Sequence, residues 1–166
     1  MSDPRVSAPA VLVVEDDTSL RVALAELLDE AGFKVSSASN GYSGLRLAAL
    51  EHPRVVLLDL GLPELTGVEV LRELRGAPET RDTAVIVITG NASRIAEARM
   101  AGADLVVEKP FDLDELLAAV HSAAHRRVTH HADIAPIAAP LVHPHPSSRP
   151  RTGHATPTWR ARRRNG

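Results

Sequence analysis

Five polar side chains stand where runs of aliphatic residues end. Glu15 and Asp16 follow Val11-Leu12-Val13-Val14, and Asp59 follows Val55-Val56-Leu57-Leu58. Thr89 and Gly90 follow Val85-Ile86-Val87-Ile88, and Lys109 comes just after Ala103–Val107. Three carboxylates brought together repel one another unless a hard divalent cation lies among them, and Mg²⁺ favours oxygen ligands. A hydroxyl and an ammonium facing that cation make a pocket for a phosphoryl group. Gly90 leaves the space above Thr89 open, and Asp59 is then placed to act as a nucleophile towards phosphorus. Taken singly these residues say less: Thr89 also reads as a β-branched strand terminus, Lys109 as a solvated side chain, and Asp17 as a helix cap.

The elements that must position them follow from periodicity. The aliphatic runs are short, continuous and bounded by Pro53, Gly61, Pro63 and Gly90, as expected of strands buried on both faces of a parallel sheet. Strands are expected at Ala10–Val14, Phe33–Ala38, Val55–Asp59, Ala84–Thr89 and Ala103–Val107. Between them, apolar residues at helical spacing predict helices after Asp17, over Tyr42–Leu50, after Gly67, over Ala92–Ala101 and after Asp112. Five alternating β and α units predict a doubly wound α/β domain, in which ligands sit at the carboxyl ends of the strands.

The chain has 166 residues, 44% of them hydrophobic, and no cysteine, which excludes a disulfide frame and thiolate chemistry. Residues 1–9 are short and polar and read as a flexible N-terminus without the pattern of a signal peptide. No apolar run approaches the ~20 residues of a membrane span. The expectation is a soluble, cytoplasmic protein. Charge is divided unevenly: from Arg126 onward there are eight arginines and one acid, while the first 125 residues hold 11 basic and 20 acidic side chains. Six of the 12 prolines and five of the eight histidines fall after Arg127, where helical and strand periods disappear. Residues 128–166 therefore read as a disordered Pro/His/Arg-rich tail. Its His130-His131 and His143-Pro144-His145 are weak candidates for a metal. Arg160, Arg162, Arg163 and Arg164 beside Trp159 are a candidate contact for nucleic acid or another anionic surface.

From about Ala10 to Arg127 the chain resembles the receiver domain of two-component response regulators. The matching segments are Val13-Val14-Glu15-Asp16-Asp17, Leu57-Leu58-Asp59-Leu60-Gly61-Leu62-Pro63 with Gly67, Val87-Ile88-Thr89-Gly90, and Ala101-Gly102-Ala103-Asp104 running to Lys109-Pro110-Phe111. The resemblance implies a five-stranded flavodoxin-like fold with strand order 2-1-3-4-5. It implies phosphorylation of Asp59 by a histidine kinase or phosphotransfer protein. Mg²⁺ would be held by Asp16, Asp59 and the Gly61 carbonyl, with Glu15 acting mainly through water. Thr89, Gly90 and Lys109 would receive the phosphoryl oxygens, and Lys109-Pro110 would be cis. Two departures stand out. Val106 occupies the place where such domains usually carry an aromatic switch residue, and Gly61 stands where many carry a side chain that influences hydrolysis.

Two other function classes fit less well. An aspartate-nucleophile phosphatase needs a second Asp two residues past the nucleophile, where this chain has Gly61. A DNA-binding regulator needs a helix-turn-helix, and the tail has no helical period to supply a folded DNA-binding domain. The sequence thus predicts a phosphoacceptor signalling protein, not an enzyme acting on a released substrate. It would act by contact with an unidentified downstream protein, and a homodimer through the receiver face is a further option.

Overall fold

The computed structural model describes residues 7–126. Expectations for residues 1–6 and for the tail, including its candidate metal and anion contacts and the lack of a folded output domain, lie outside the described residues. Five strands, β1 (Ala10–Val14), β2 (Lys34–Ala38), β3 (Val55–Asp59), β4 (Ala84–Thr89) and β5 (Leu105–Glu108), form one sheet in the order β2-β1-β3-β4-β5. Every pairing is parallel. The helices are α1 (Thr18–Glu30), α2 (Gly41–Glu51), α3 (Gly67–Gly76), α4 (Ile95–Met100) and α5 (Leu113–His125). This is the doubly wound, flavodoxin-like α/β arrangement expected from the sequence.

The two faces of the sheet explain the continuous aliphatic runs. Leu12, Val14, Val56, Leu58, Val85 and Val87 point into one core, which includes the buried faces of α2, α3 and α4. Val11, Val13, Val55, Leu57, Ile86 and Ile88 point into the other, with Leu24 and Leu28 of α1 and Leu116 and Val120 of α5. Strand side chains alternate between faces, so a strand covered on both sides is apolar at every position. The edge strands are more exposed and more polar: β2 reads Lys34-Val35-Ser36-Ser37-Ala38. In β5, only Val106 and Val107 are half-buried.

Caps fix where the loops at the strand ends give way to helices. Asp17 accepts from Leu20 N at 2.8 Å, and Asn40 from Ser43 N at 2.9 Å. Thr66 and Glu69 form a capping box, in which the Thr66 hydroxyl and amide hold Glu69 and draw its carboxyl pKa below 4.5. Asp112 accepts from Asp114 N and Glu115 N. Gly67 permits the start of α3 to lie directly on the end of β3. A Cβ there would collide with the Asp59 carbonyl and lie 2.6 Å from Leu60 Cα.

Two segments differ from the expectation by more than a residue at a boundary. The last strand begins at Leu105 instead of Ala103. The Asp104 carboxylate is occupied by Val85 N at 2.7 Å and Arg75 at 2.8 Å, and Ala103 N closes on Ala98 O, so these residues form a turn. The Ala92–Ala101 segment is also not one helix. It opens as a 3₁₀ turn, Ala92–Arg94, capped by the Asn91 side chain, and only then becomes α4.

Candidate functional site

At the carboxyl end of the sheet, β1 and β3 lie side by side while β2 leaves to one side and β4 to the other. This is the topological switch point, where α/β sheets open a crevice. Strand β1 delivers Glu15 and Asp16 into it, and strand β3 delivers Asp59. One carboxylate oxygen from each lies within 4.8 Å of those from the other two. Glu15 is 2% exposed and Asp59 6%, while Asp16 is open to solvent. Burial, followed by the negative charge of Asp59, raises the Glu15 pKa above 4.5, outweighing the bonds that Asp17 N and Lys109 donate to it.

Lys109 is the counter-charge. Its ammonium bonds Glu15 Oε2 at 3.1 Å and Asp59 Oδ1 at 3.2 Å. Burial alone would depress the ammonium. The Glu15 hydrogen bond and the charges of Asp59 and Glu15 prevail, and its pKa is raised above 10.5. The other Asp59 oxygen, Oδ2, accepts from Gly61 N at 2.9 Å. A Cβ on Gly61 would lie 3.0 Å from that oxygen, so any side chain at this position would start against the carboxylate. The Lys109–Pro110 peptide is cis, and Lys109 N bonds the Thr89 carbonyl at 2.8 Å.

Thr89 is buried at the end of β4, but its hydroxyl is engaged locally. It accepts from Asn91 N at 3.1 Å and lies 3.4 Å from the Asn91 carbonyl. Nothing lies within 4 Å of a Cβ built on Gly90, so the space above Thr89 is open. Val106 is half-buried against the α2–α4 core and offers no ring to move.

The structure adds contacts that the sequence did not reveal. Arg21 of α1 donates to the Glu15 carbonyl at 2.8 Å and the Asp16 carbonyl at 3.3 Å, holding the backbone that carries both acids. Arg94 donates to the Leu60 carbonyl at 3.1 Å, tying the loop after β4 to the residue that follows Asp59. Arg94 also meets Glu97, which pairs with Arg72 of α3. Asn91 Oδ1 accepts from Ser93 N at 3.0 Å and Ser93 Oγ at 2.6 Å, so its side chain is committed to the turn. Such side chain–backbone bonds span loops and leave no periodic trace in sequence.

The donor set is all oxygen, partly buried and incompletely neutralised by one ammonium, which fits a hard divalent cation better than a thiophilic metal. The family model described as "Response regulator receiver domain" matches residues 11–121. The transcriptional regulatory protein KdpE of Mycobacterium tuberculosis is 42% identical over 116 residues, covering 70% of this chain and 51% of that protein. This chain thus spans about half the length of that relative. Sporulation initiation phosphotransferase F of Bacillus subtilis is 32% identical over 110 residues, covering 66% of this chain and 89% of that protein. Among solved structures, the receiver domain of a Pseudomonas aeruginosa sensor histidine kinase has magnesium coordinated in its active-site cleft. It superposes with a TM-score of 0.67 at 26% identity, covering 72% of this chain and 99% of that one.

Proposed function

This chain belongs to the response regulator receiver domain family, and on that premise we propose that Asp59 is its phosphoacceptor in a two-component or phosphorelay pathway. The observation that carries this reading is the convergence on Asp59 of two acids, one ammonium and one backbone amide. The donor is a phosphohistidine of a sensor kinase or phosphotransfer protein. An Asp59 carboxylate oxygen forms the bond to phosphorus as the P–N bond breaks, and the imidazole leaves with that electron pair.

Asp16, Asp59 and the Gly61 carbonyl are the proposed holders of Mg²⁺, with Glu15 beside them. When bound, the ion neutralises the acids and the charge gathering on the phosphoryl oxygens. Lys109 already sits on Asp59 Oδ1 and needs only to follow the new oxygens as a point charge. Thr89 has further to go: its hydroxyl must turn its proton from the Asn91 carbonyl to meet a phosphoryl oxygen above Gly90. The phosphorylated receiver then acts by protein contact, with a downstream protein or with a second copy. It is a phosphoacceptor and not an enzyme with a released substrate, and a cytoplasmic location belongs to the same reading.

The test is incubation with acetyl phosphate and Mg²⁺, followed by intact-mass measurement. One phosphoryl group should appear on the wild type and none on Asp59→Asn, which keeps the size of the side chain. Equal labelling of the two would end the proposal.

A further inference from the structure

The last two turns of α5 carry two imidazoles, His121 and His125, both exposed and four residues apart on one helix face. Their rings lie nearly parallel, at 20°, with centroids 6.1 Å apart. His125 Nδ1 is 2.7 Å from the His121 carbonyl oxygen. That oxygen can only accept, so Nδ1 carries the proton, and in the neutral ring Nε2 keeps its lone pair. A ring N–H held by a backbone carbonyl is the arrangement that fixes the tautomer of metal-ligating histidines. The His121 ring is braced separately, 4.7 Å from the ring of Phe33, which is itself 4% exposed. Neither imidazole therefore has to be ordered from a fully free state when a ligand arrives.

We propose that His121 and His125 form a second metal site, for a borderline divalent transition-metal ion such as Zn²⁺ or Ni²⁺. Imidazole at i and i+4 supplies two nitrogen ligands to such ions, with water completing the shell. The site lies at the far end of the sheet from the acidic cluster. Phe33 immediately precedes β2, whose amino end it marks, whereas Glu15, Asp16 and Asp59 leave the carboxyl ends of β1 and β3. The two sites also differ in chemistry, all nitrogen against all oxygen, so Mg²⁺ has no affinity advantage at the histidines. The carboxyl end of a helix further favours a cation through its unpaired carbonyls.

The full chain is titrated with Zn²⁺ against a chromophoric chelator, with Mg²⁺ in excess. The same titration is run on a variant carrying Gln at His130, His131, His143 and His145. Zinc should bind the wild type and the tail variant alike. His121→Gln and His125→Gln should each weaken it about tenfold or more, since even outer-shell losses at metal sites cost about 10–100-fold. Because the pair is in register only when α5 is folded, zinc should also raise the melting midpoint of the tail variant. It should leave that of the tail variant with His125→Gln unmoved. Unchanged affinity in His125→Gln, loss of binding in the tail variant, or displacement of the zinc by Mg²⁺ would each overturn the proposal.

Discussion

Lys109→Met should turn the candidate site from a partly neutralised cluster into an uncompensated one. In the metal-free protein the ammonium is the side-chain cation within bonding distance of Glu15 and Asp59, at 3.1 and 3.2 Å. Both carboxylates are nearly buried. Two unit charges 4 Å apart interact by about 4 kcal/mol at an effective dielectric of 20. Removing one member of a buried pair typically costs about 3–5 kcal/mol, because the survivor is left uncompensated. The Lys109 side chain is 29% exposed, so water recovers part of this. The expected loss is about 2–3 kcal/mol, or roughly 10 °C in melting midpoint for a domain of this size. Urea unfolding without metal measures it directly. Saturating Mg²⁺ should shrink the deficit, since a cation among the acids restores the missing charge. Adding Glu15→Gln should do the same without metal. A metal-free variant within about 0.5 kcal/mol of wild type, close to the scatter for surface changes, would refute the electrostatic account of this site.

Asp16→Ala should abolish labelling by acetyl phosphate yet melt no lower than wild type without metal, because it removes one of three crowded acids; a markedly lower midpoint would tell against repulsion. Gly67→Ala should cost about 3 kcal/mol or more by urea unfolding, since its Cβ would meet the backbone of Asp59 and Leu60. Gly90→Ala, with nothing within 4 Å, should cost far less, and equal losses would contradict the packing. The Glu15 pKa in the fold lies above 4.5, so the unfolded chain gives up this proton first as pH rises. Stability contributed by protonated Glu15 is therefore present at low pH and lost as pH climbs through the folded value; pH-dependent unfolding without metal should show this slope flattened in Glu15→Gln. Phosphorylated Asp59 should decay slowly, because Gly61 has no side chain to hold an attacking water and Asn91 Oδ1 is taken by Ser93. Gly61→Asn should speed that decay in a phosphoprotein time course, and an unchanged rate would sink the idea.

The central strands were legible because burial on both faces leaves β1, β3 and β4 apolar up to the Asp59 and Thr89 that end β3 and β4, and such runs have few other homes. Once their order was fixed, Glu15, Asp59 and Thr89 had to leave the sheet at one end. The edge of the sheet was less legible. Where β5 begins depends on Asp104 reaching Val85 and Arg75, contacts 19 and 29 residues away in sequence. Arg94 on the Leu60 carbonyl spans 34 residues and has no local pattern at all. Arg21 sits at an ordinary helical position, and only its distances to the Glu15 and Asp16 carbonyls separate it from any solvated arginine.

These unforeseen contacts bear on how a phosphoryl group on Asp59 could be felt elsewhere in the fold. Val106 has no ring to move into the core, so groups that already bridge the site and α4 are the expected carriers of such coupling. Thr89 is one: its single hydroxyl proton faces the Asn91 carbonyl at 3.4 Å and must turn away from it to reach a phosphoryl oxygen. The turn that Asn91 and Ser93 close is the turn that carries Arg94, and Arg94 holds Leu60, the residue next to Asp59. Drawing Thr89 towards phosphorus therefore pulls on the start of α4 through one loop, while any shift of Leu60 pulls on it through the other. Glu97 in turn meets Arg72 of α3 in an exposed pair at 3.8 Å. Two short loops are thus joined by one arginine between the site and α4.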